Sequence, residues 1–197
     1  DENKKSIFIE IKNKDLEVVR KLDVKKFTKG VNRIMWDLRY EPTTIPKLRV
    51  DPDGVDWVKY NSDGWRPLRT WDLDVNAGKL GPLAVPGQYS VTLKIDGKEY
   101  SNKFEVLKDP NTIGTLTDIN DQFQFLFTLR NTINETVDLI NKIENIRFDL
   151  QSNKRSSRSK KLERELFRIE SNLFDTKLTG AREDAFRNPN KIYGRLA

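Results

Sequence analysis

The sequence predicts an α+β chain, with an Ig-like antiparallel β-sandwich over residues 1–110 and an α-helical hairpin over residues 111–197. Three observations carry that reading. Up to about residue 110, β-branched and aromatic residues alternate with period two between turn signals. From Thr117 the apolar period lengthens to that of a helix. Two segments about fifty residues apart, 30–42 (GVNRIMWDLRYEP) and 81–93 (GPLAVPGQYSVTL), each read as a turn feeding a strand.

Residues 6–12 alternate Ile7, Ile9 and Ile11 on one face, and residues 16–22 follow after the turn-like Asn13-Lys14-Asp15, which predicts a hairpin. Residues 32–40 place Ile34, Trp36 and Leu38 on one face and Arg33, Met35, Asp37 and Arg39 on the other, the clearest strand pattern in the chain. Residues 87–95 align Tyr89, Val91, Leu93 and Ile95. Asp96-Gly97 is a strong two-residue hairpin signal, and residues 98–107 return from it with a phase change near 101–103 that predicts a bulge. Trp36, Leu38, Tyr89, Val91 and Leu93 are the expected sandwich core. Between the third and fourth strands, residues 41–80 form an irregular insertion holding Pro42, Pro46, Pro52 and Pro67 with Trp57, Trp65 and Trp71. A connection that long is packed by its own aromatics or held against a partner.

In the second half, Ile119, Phe123, Leu126, Ile133, Val137, Ile140 and Ile143 recur at helical steps, with Thr117 or Asp118 as the cap. Leu162, Leu166, Ile169 and Leu173 form a second stripe, and Phe167 and Phe174 widen it. Antiparallel packing of the two buries both. Gly180 marks a stop, and Pro189 opens a short helix through Tyr193 and Leu196.

Composition narrows the chemistry. The net charge is +6, with 21 basic and 18 acidic side chains in residues 1–110 and 15 and 12 in residues 111–197, so each part carries only +3. A nucleic-acid binder concentrates its charge, and the one basic run, KRSSRSKK at 154–161, reads as a solvated loop between helices. With no cysteine, disulfides, thiol catalysis and Cys-ligated metal are excluded. With no histidine, the chain alone cannot build a Ser-His-Asp, Cys-His or zinc-hydrolase centre. No apolar run reaches membrane-spanning length. The start at Asp1, without an initiator Met or signal segment, suggests an excised or processed fragment.

Candidate sites are few. Asp51, Asp53 and Asp56 alternate around Gly54 as a calcium loop begins, but position twelve is Ser62 where an EF-hand loop needs a bidentate Glu, which favours an ordinary Asp-Gly turn. No metal site, cofactor or catalytic residue is assigned. Trp57, Tyr60, Trp65 and Trp71 are the candidate ligand-binding residues. Flat aromatic faces there suit sugar rings, with a small core of the insertion or a docking face as the competing readings. Asn134-Glu135-Thr136 matches a glycosylation acceptor but falls inside a helix.

Residues 29–42, 81–110, the helix at 118–150 and the ending LTGAREDAFRNPNKIYGRL (178–196) resemble the C-terminal region of large bacterial secreted proteins whose main body is a sortilin-like, Asp-box (BNR) β-propeller, often labelled glycosyl hydrolase-like. The strand-and-turn part also resembles the Ig-like unit of flagellar hook-capping proteins. The resemblance implies that a propeller elsewhere in the parent chain carries any hydrolytic or ligand-binding face. Asn61-Ser62-Asp63-Gly64-Trp65 lacks the spacing of an Asp-box. The expected function is therefore a non-catalytic accessory module that packs on or orients that propeller in an exported protein. The alternative is a carbohydrate-binding module built on the aromatic insertion.

Overall fold

In the computed structural model, described for residues 7–24, 26–67, 80–152, 156–179, 181, 187 and 189–196, mixed α and β elements follow one another as the alternation and the helical stripes require. The strands are β1 (Ile7–Lys12), β2 (Val18–Asp23), β3 (Lys47–Leu48), β4 (Arg66–Pro67), β5 (Gly87–Ile95) and β6 (Lys98–Val106). The helices are α1 (Leu116–Ser152), α2 (Ser157–Leu173) and α3 (Ile192–Leu196). The chain divides into two compact units that interleave: Asp1–Pro42 with Leu80–Thr128, and Thr43–Lys79 with Leu129–Ala197. The expected boundary near residue 110 follows the change of period, whereas contacts give residues 43–79 to the second unit and 111–128 to the first.

The first unit is built on an antiparallel sheet of order β2-β1-β5-β6. Asn13 closes the β1–β2 turn by accepting the amides of Asp15 (3.0 Å) and Glu17 (2.9 Å) on Oδ1. Asp96 (φ 48°) and Gly97 (φ 77°) make the β5–β6 turn in the left-handed conformation that a two-residue hairpin needs. The β5–β6 register runs unbroken from Gly87↔Val106 to Ile95↔Lys98, so the bulge expected near 101–103 is absent; the irregularity falls between Ile11 and Lys12 on β1. On one sheet face Ile9, Ile11, Val19, Leu22, Tyr89 and Phe104 form a core with Trp36, Tyr40, Phe123 and Phe127. The other face is polar: Glu10 is nearly buried, with Lys94 at 3.1 Å, Lys12 at 3.6 Å and Lys21 at 3.7 Å.

The clearest strand pattern, residues 32–40, is not a strand. Only its end pairs: Arg39 bridges Leu83, Tyr40 donates its amide to Pro82 (2.9 Å), and Glu41 donates to Val19 (2.9 Å). Two features stop the ladder from extending. Pro82 has no amide to return, and Leu38 sits at φ 58°, which turns the chain out of extended geometry. Leu38 is accordingly 44% exposed rather than core, while Trp36 packs against Tyr89 and Phe104 and donates its indole N–H to Arg39 O at 2.9 Å.

In the second unit α1 and α2 run antiparallel, since Gln151 and Arg147 of α1 meet Glu163 and Glu170 of α2. Ile133, Val137, Ile140 and Ile143 pack with Leu48, Leu173, Phe174 and Tyr193. Of the expected α2 stripe, Leu173 is buried and Leu166 packs on this core, while Leu162 and Ile169 lie on the exposed side. The cap of α1 is Thr115, two residues before Thr117 and three before Asp118: Thr115 and Asp118 exchange side chain-to-amide bonds (3.1 and 2.8 Å), a reciprocal capping box. Ser156 caps α2, so residues 157–161 of the basic run are helical rather than loop.

Candidate functional site

An extended stretch, residues 43–50, is held to α1 by side chains one and two turns apart. Asn134 accepts the amide of Thr44 (2.8 Å), Asn141 that of Lys47 (2.7 Å), and Glu144 Oε2 those of Arg49 (2.5 Å) and Val50 (2.8 Å). Each satisfies a backbone donor, and only Lys47 among these residues lies in a strand pair, opposite Pro67. Asn134, the apparent glycosylation acceptor, is thus engaged on a helix face.

The chain then turns through Pro52-Asp53-Gly54-Val55, closed by Val55 N–H to Pro52 O at 3.0 Å, with Gly54 at φ 76°. This is the Asp-Gly turn; Asp51 is occupied by the Tyr60 hydroxyl, which donates to it at 2.7 Å. Among the described residues no group of carboxylates is placed to hold a metal ion. A second tight loop, 61–65, is closed by Asn61, whose Oδ1 accepts the amides of Asp63 (3.0 Å) and Trp65 (3.1 Å). The residue after that loop, Arg66, turns inward.

Arg66 is 1% exposed and donates Nε to Val50 O (3.0 Å) and Nη1 to Leu178 O (2.5 Å). Burial pulls its basicity below the usual arginine value, against the opposing charge of Glu144 and the partners Tyr60 and Asp51. It stays cationic all the same. Burial likewise pushes the Tyr60 hydroxyl up, reinforced by its bond to Asp51, so it stays protonated.

Beside Arg66 lies a charged centre inside the hairpin. Arg147 of α1 donates Nη1 to Glu170 Oε2 and Nη2 to Glu163 Oε1 (2.9 Å), with its guanidinium 5.0 Å from the Phe167 ring. Glu144 and Glu170 are both essentially buried. Burial, with the charge of Glu144 against it, pushes the Glu170 carboxyl up to about 8 even though Arg147 pulls the other way. A cavity of about 200 Å³ opens here, lined among others by Asp51, Asp53, Arg66, Glu144, Arg147 and Phe174. Both guanidinium groups facing it are already engaged by carbonyls or carboxylates. What this centre can do chemically is hold and release a proton.

Of the four residues expected to bind a ligand, none of the three described ones lines this cavity. Trp57 is 71% exposed, Tyr60 is committed to Asp51, Trp65 is half-buried in its loop, and Trp71 lies outside the described residues. The centre itself, Glu144, Arg147 and Glu170, was not among the expected site residues. Its signal was present in the pattern: charges stand where the Ile133, Val137, Ile140 and the Leu166 steps predict apolar residues. Comparison with known protein families, with curated proteins and with solved structures finds no match to this chain.

Proposed function

We propose that the chain is a non-catalytic accessory module that packs on or orients a β-propeller domain of its own parent chain, in an exported bacterial protein of the sortilin-like, glycosyl hydrolase-like kind. The observation that supports docking is the apolar surface of residues 27–38. Val31 is fully exposed, Met35 is 78% exposed, and Phe27, Ile34 and Leu38 are open beside them. Leu83, joined to this segment by the Arg39 bridge, is exposed as well. Trp36 and Tyr40 anchor the same segment in the core, so it is presented on a fixed base. Clustered exposed apolar residues are the mark of an interaction surface. We also read the sheet and the 38–41 segment laid over it as parts of an Ig-like sandwich, a reading supported by the pairing of that segment with residues 82–84 and Val19. No helix is long and apolar enough to cross a membrane among the described residues.

The test is calorimetric titration of this chain with the propeller of its parent, expressed separately. Wild type binds, and Val31→Asp with Met35→Asp weakens binding at least about tenfold, or ~1.4 kcal/mol, without lowering the melting temperature. A parent without a propeller, or affinity unchanged by the double substitution, overturns the reading. A second reading, carbohydrate binding at the insertion, is favoured by the open indole of Trp57. A tryptophan-fluorescence titration that stays flat across an oligosaccharide panel removes it.

A further inference from the structure

We propose that the buried Glu144, Arg147 and Glu170 cluster is a proton-dependent clasp: with one proton on the carboxyl pair it pins residues 49–53 to the helical hairpin, and without that proton it lets them go. Three features of the second unit carry this.

The first is what Glu144 does. Its Oε2 is the acceptor for two consecutive amides, Arg49 and Val50, in a stretch that has no strand partner for them. The second is the charge balance. With Glu170 protonated, Glu144, Glu163 and Asp51 face Arg147 and Arg66, three anions against two cations. With Glu170 ionised the centre holds four anions against the same two cations, in surroundings where Glu144 and Glu170 have almost no contact with water. The third is one bare atom. Glu170 Oε2 accepts from Arg147, but Oε1 is buried with no hydrogen-bond partner. An ionised carboxylate with a bare buried oxygen is unfavourable. Protonated, the same oxygen becomes a donor, and the Glu144 carboxylate is the acceptor beside it.

The surroundings decide which part yields. From α1 the pair is faced by Arg147, from α2 by Glu163, and from the 43–67 stretch by Arg66, Asp51 and Tyr60; Tyr193 of α3 is buried in the adjoining apolar core. None of these groups can neutralise a second carboxylate. Tyr60 stays protonated, Asp51 adds negative charge, and both arginines are already used. The helices are fixed by their own ladders and the apolar core, whereas residues 49–53 are irregular. The cavity separates the Asp51 to Gly54 turn from Glu144 and Arg147, and so gives water a short way in. Moving that turn breaks one backbone bond to the rest of the unit, Asp53 N–H to Thr176 O at 3.0 Å, with the side-chain bonds of Arg66 to Val50 O and of Arg49 to Asn145, and hydrates the pair without unwinding either helix.

The experiment is hydrogen exchange of the intact chain, read by mass spectrometry at pH 6.5 and pH 9 and corrected for the intrinsic pH dependence of exchange. Protection at Arg49 and Val50 falls at least about tenfold at the higher pH, while the Val19 and Val91 amides of the other unit keep theirs. Glu170→Gln, which keeps the shape without the titration, abolishes the fall. A carbon-13 titration of the Glu170 carboxyl in the wild-type protein gives a midpoint well above 6 and keeps the idea testable should the variant fold poorly. Equal protection at both pH values, a fall that persists in Glu170→Gln, or a Glu170 midpoint near an ordinary glutamate's would each overturn the clasp.

Discussion

Gly81 shows how one residue can be fixed by its neighbours rather than by its own backbone angles. A Cβ built there would lie 2.1 Å from Tyr40 O and 2.6 Å from Glu41 O, both backbone atoms. Neither can retreat, because the adjoining amides are committed to Pro82 and Val19, and Gly81 O itself accepts Arg39 Nη1 at 3.0 Å. The contact is far inside any real Cβ distance, so a side chain must push two strand-like segments apart. Gly81→Ala is expected to destabilise the protein by at least ~2 kcal/mol in urea unfolding, at the upper end of the usual cost of overpacking. Gly97 differs in kind: its left-handed φ is the requirement and open space surrounds it. A Gly81→Ala protein that unfolds at the wild-type midpoint would mean that the crossing of residues 38–41 with 81–84 is looser than described.

At the scale of elements, strands and helices were legible wherever a local rule acted alone. The Asp96-Gly97 hairpin, the β1–β2 pair and both long helices follow from turn chemistry and apolar period. Residues 32–40 misled because alternation reports side-chain environment, not ladder partners; Trp36 is drawn into the core while Leu38 turns outward at positive φ. The charged centre was legible only in part, for a related reason. Helical spacing locates Glu144, Arg147 and Glu170 on the inward faces, but only tertiary pairing shows that they meet one another and the amides of residues 49–50. The same tertiary exchange makes the visible boundary at residue 110 a poor place to cut. A 1–110 fragment loses Phe123 and Phe127 from the ring cluster around Tyr40, and a 111–197 fragment loses Leu48 and Arg66. Each fragment alone is expected to unfold without a cooperative transition. A sharp two-state melt from either, by circular dichroism, would show that its missing partners are dispensable.

For the whole molecule, the two units place buried carboxylates in opposite settings, and their stabilities are expected to respond to pH with opposite signs. In the first unit burial would raise Glu10, but its hydrogen bond to Lys94 and the charges of Lys94, Lys12 and Lys21 hold it below the ordinary glutamate value. Its contribution is therefore present above the unfolded value of about 4.5 and is lost as pH falls through the lower folded one. In the second unit Glu170 is pushed up to about 8, so between about 4.5 and 8 the folded state keeps a proton that the unfolded chain has released. Its contribution is full at and below about 4.5, declines as pH rises across that window, and is flat beyond it. Acid should thus weaken the first unit and mild alkali the second. Trp36 is the one tryptophan of the first unit, while Trp57 and Trp65 belong to the second, which lets each be followed separately. With Trp57, Trp65 and Trp71 changed to Phe, the urea midpoint read by Trp36 should fall from pH 6 to pH 3.5. With Trp36 changed to Phe, the midpoint read by the remaining tryptophans should fall from pH 5.5 to pH 8.5, and adding Glu170→Gln should flatten it. Midpoints that move together across both ranges would show that the units unfold as one body and that neither carboxylate controls its own part.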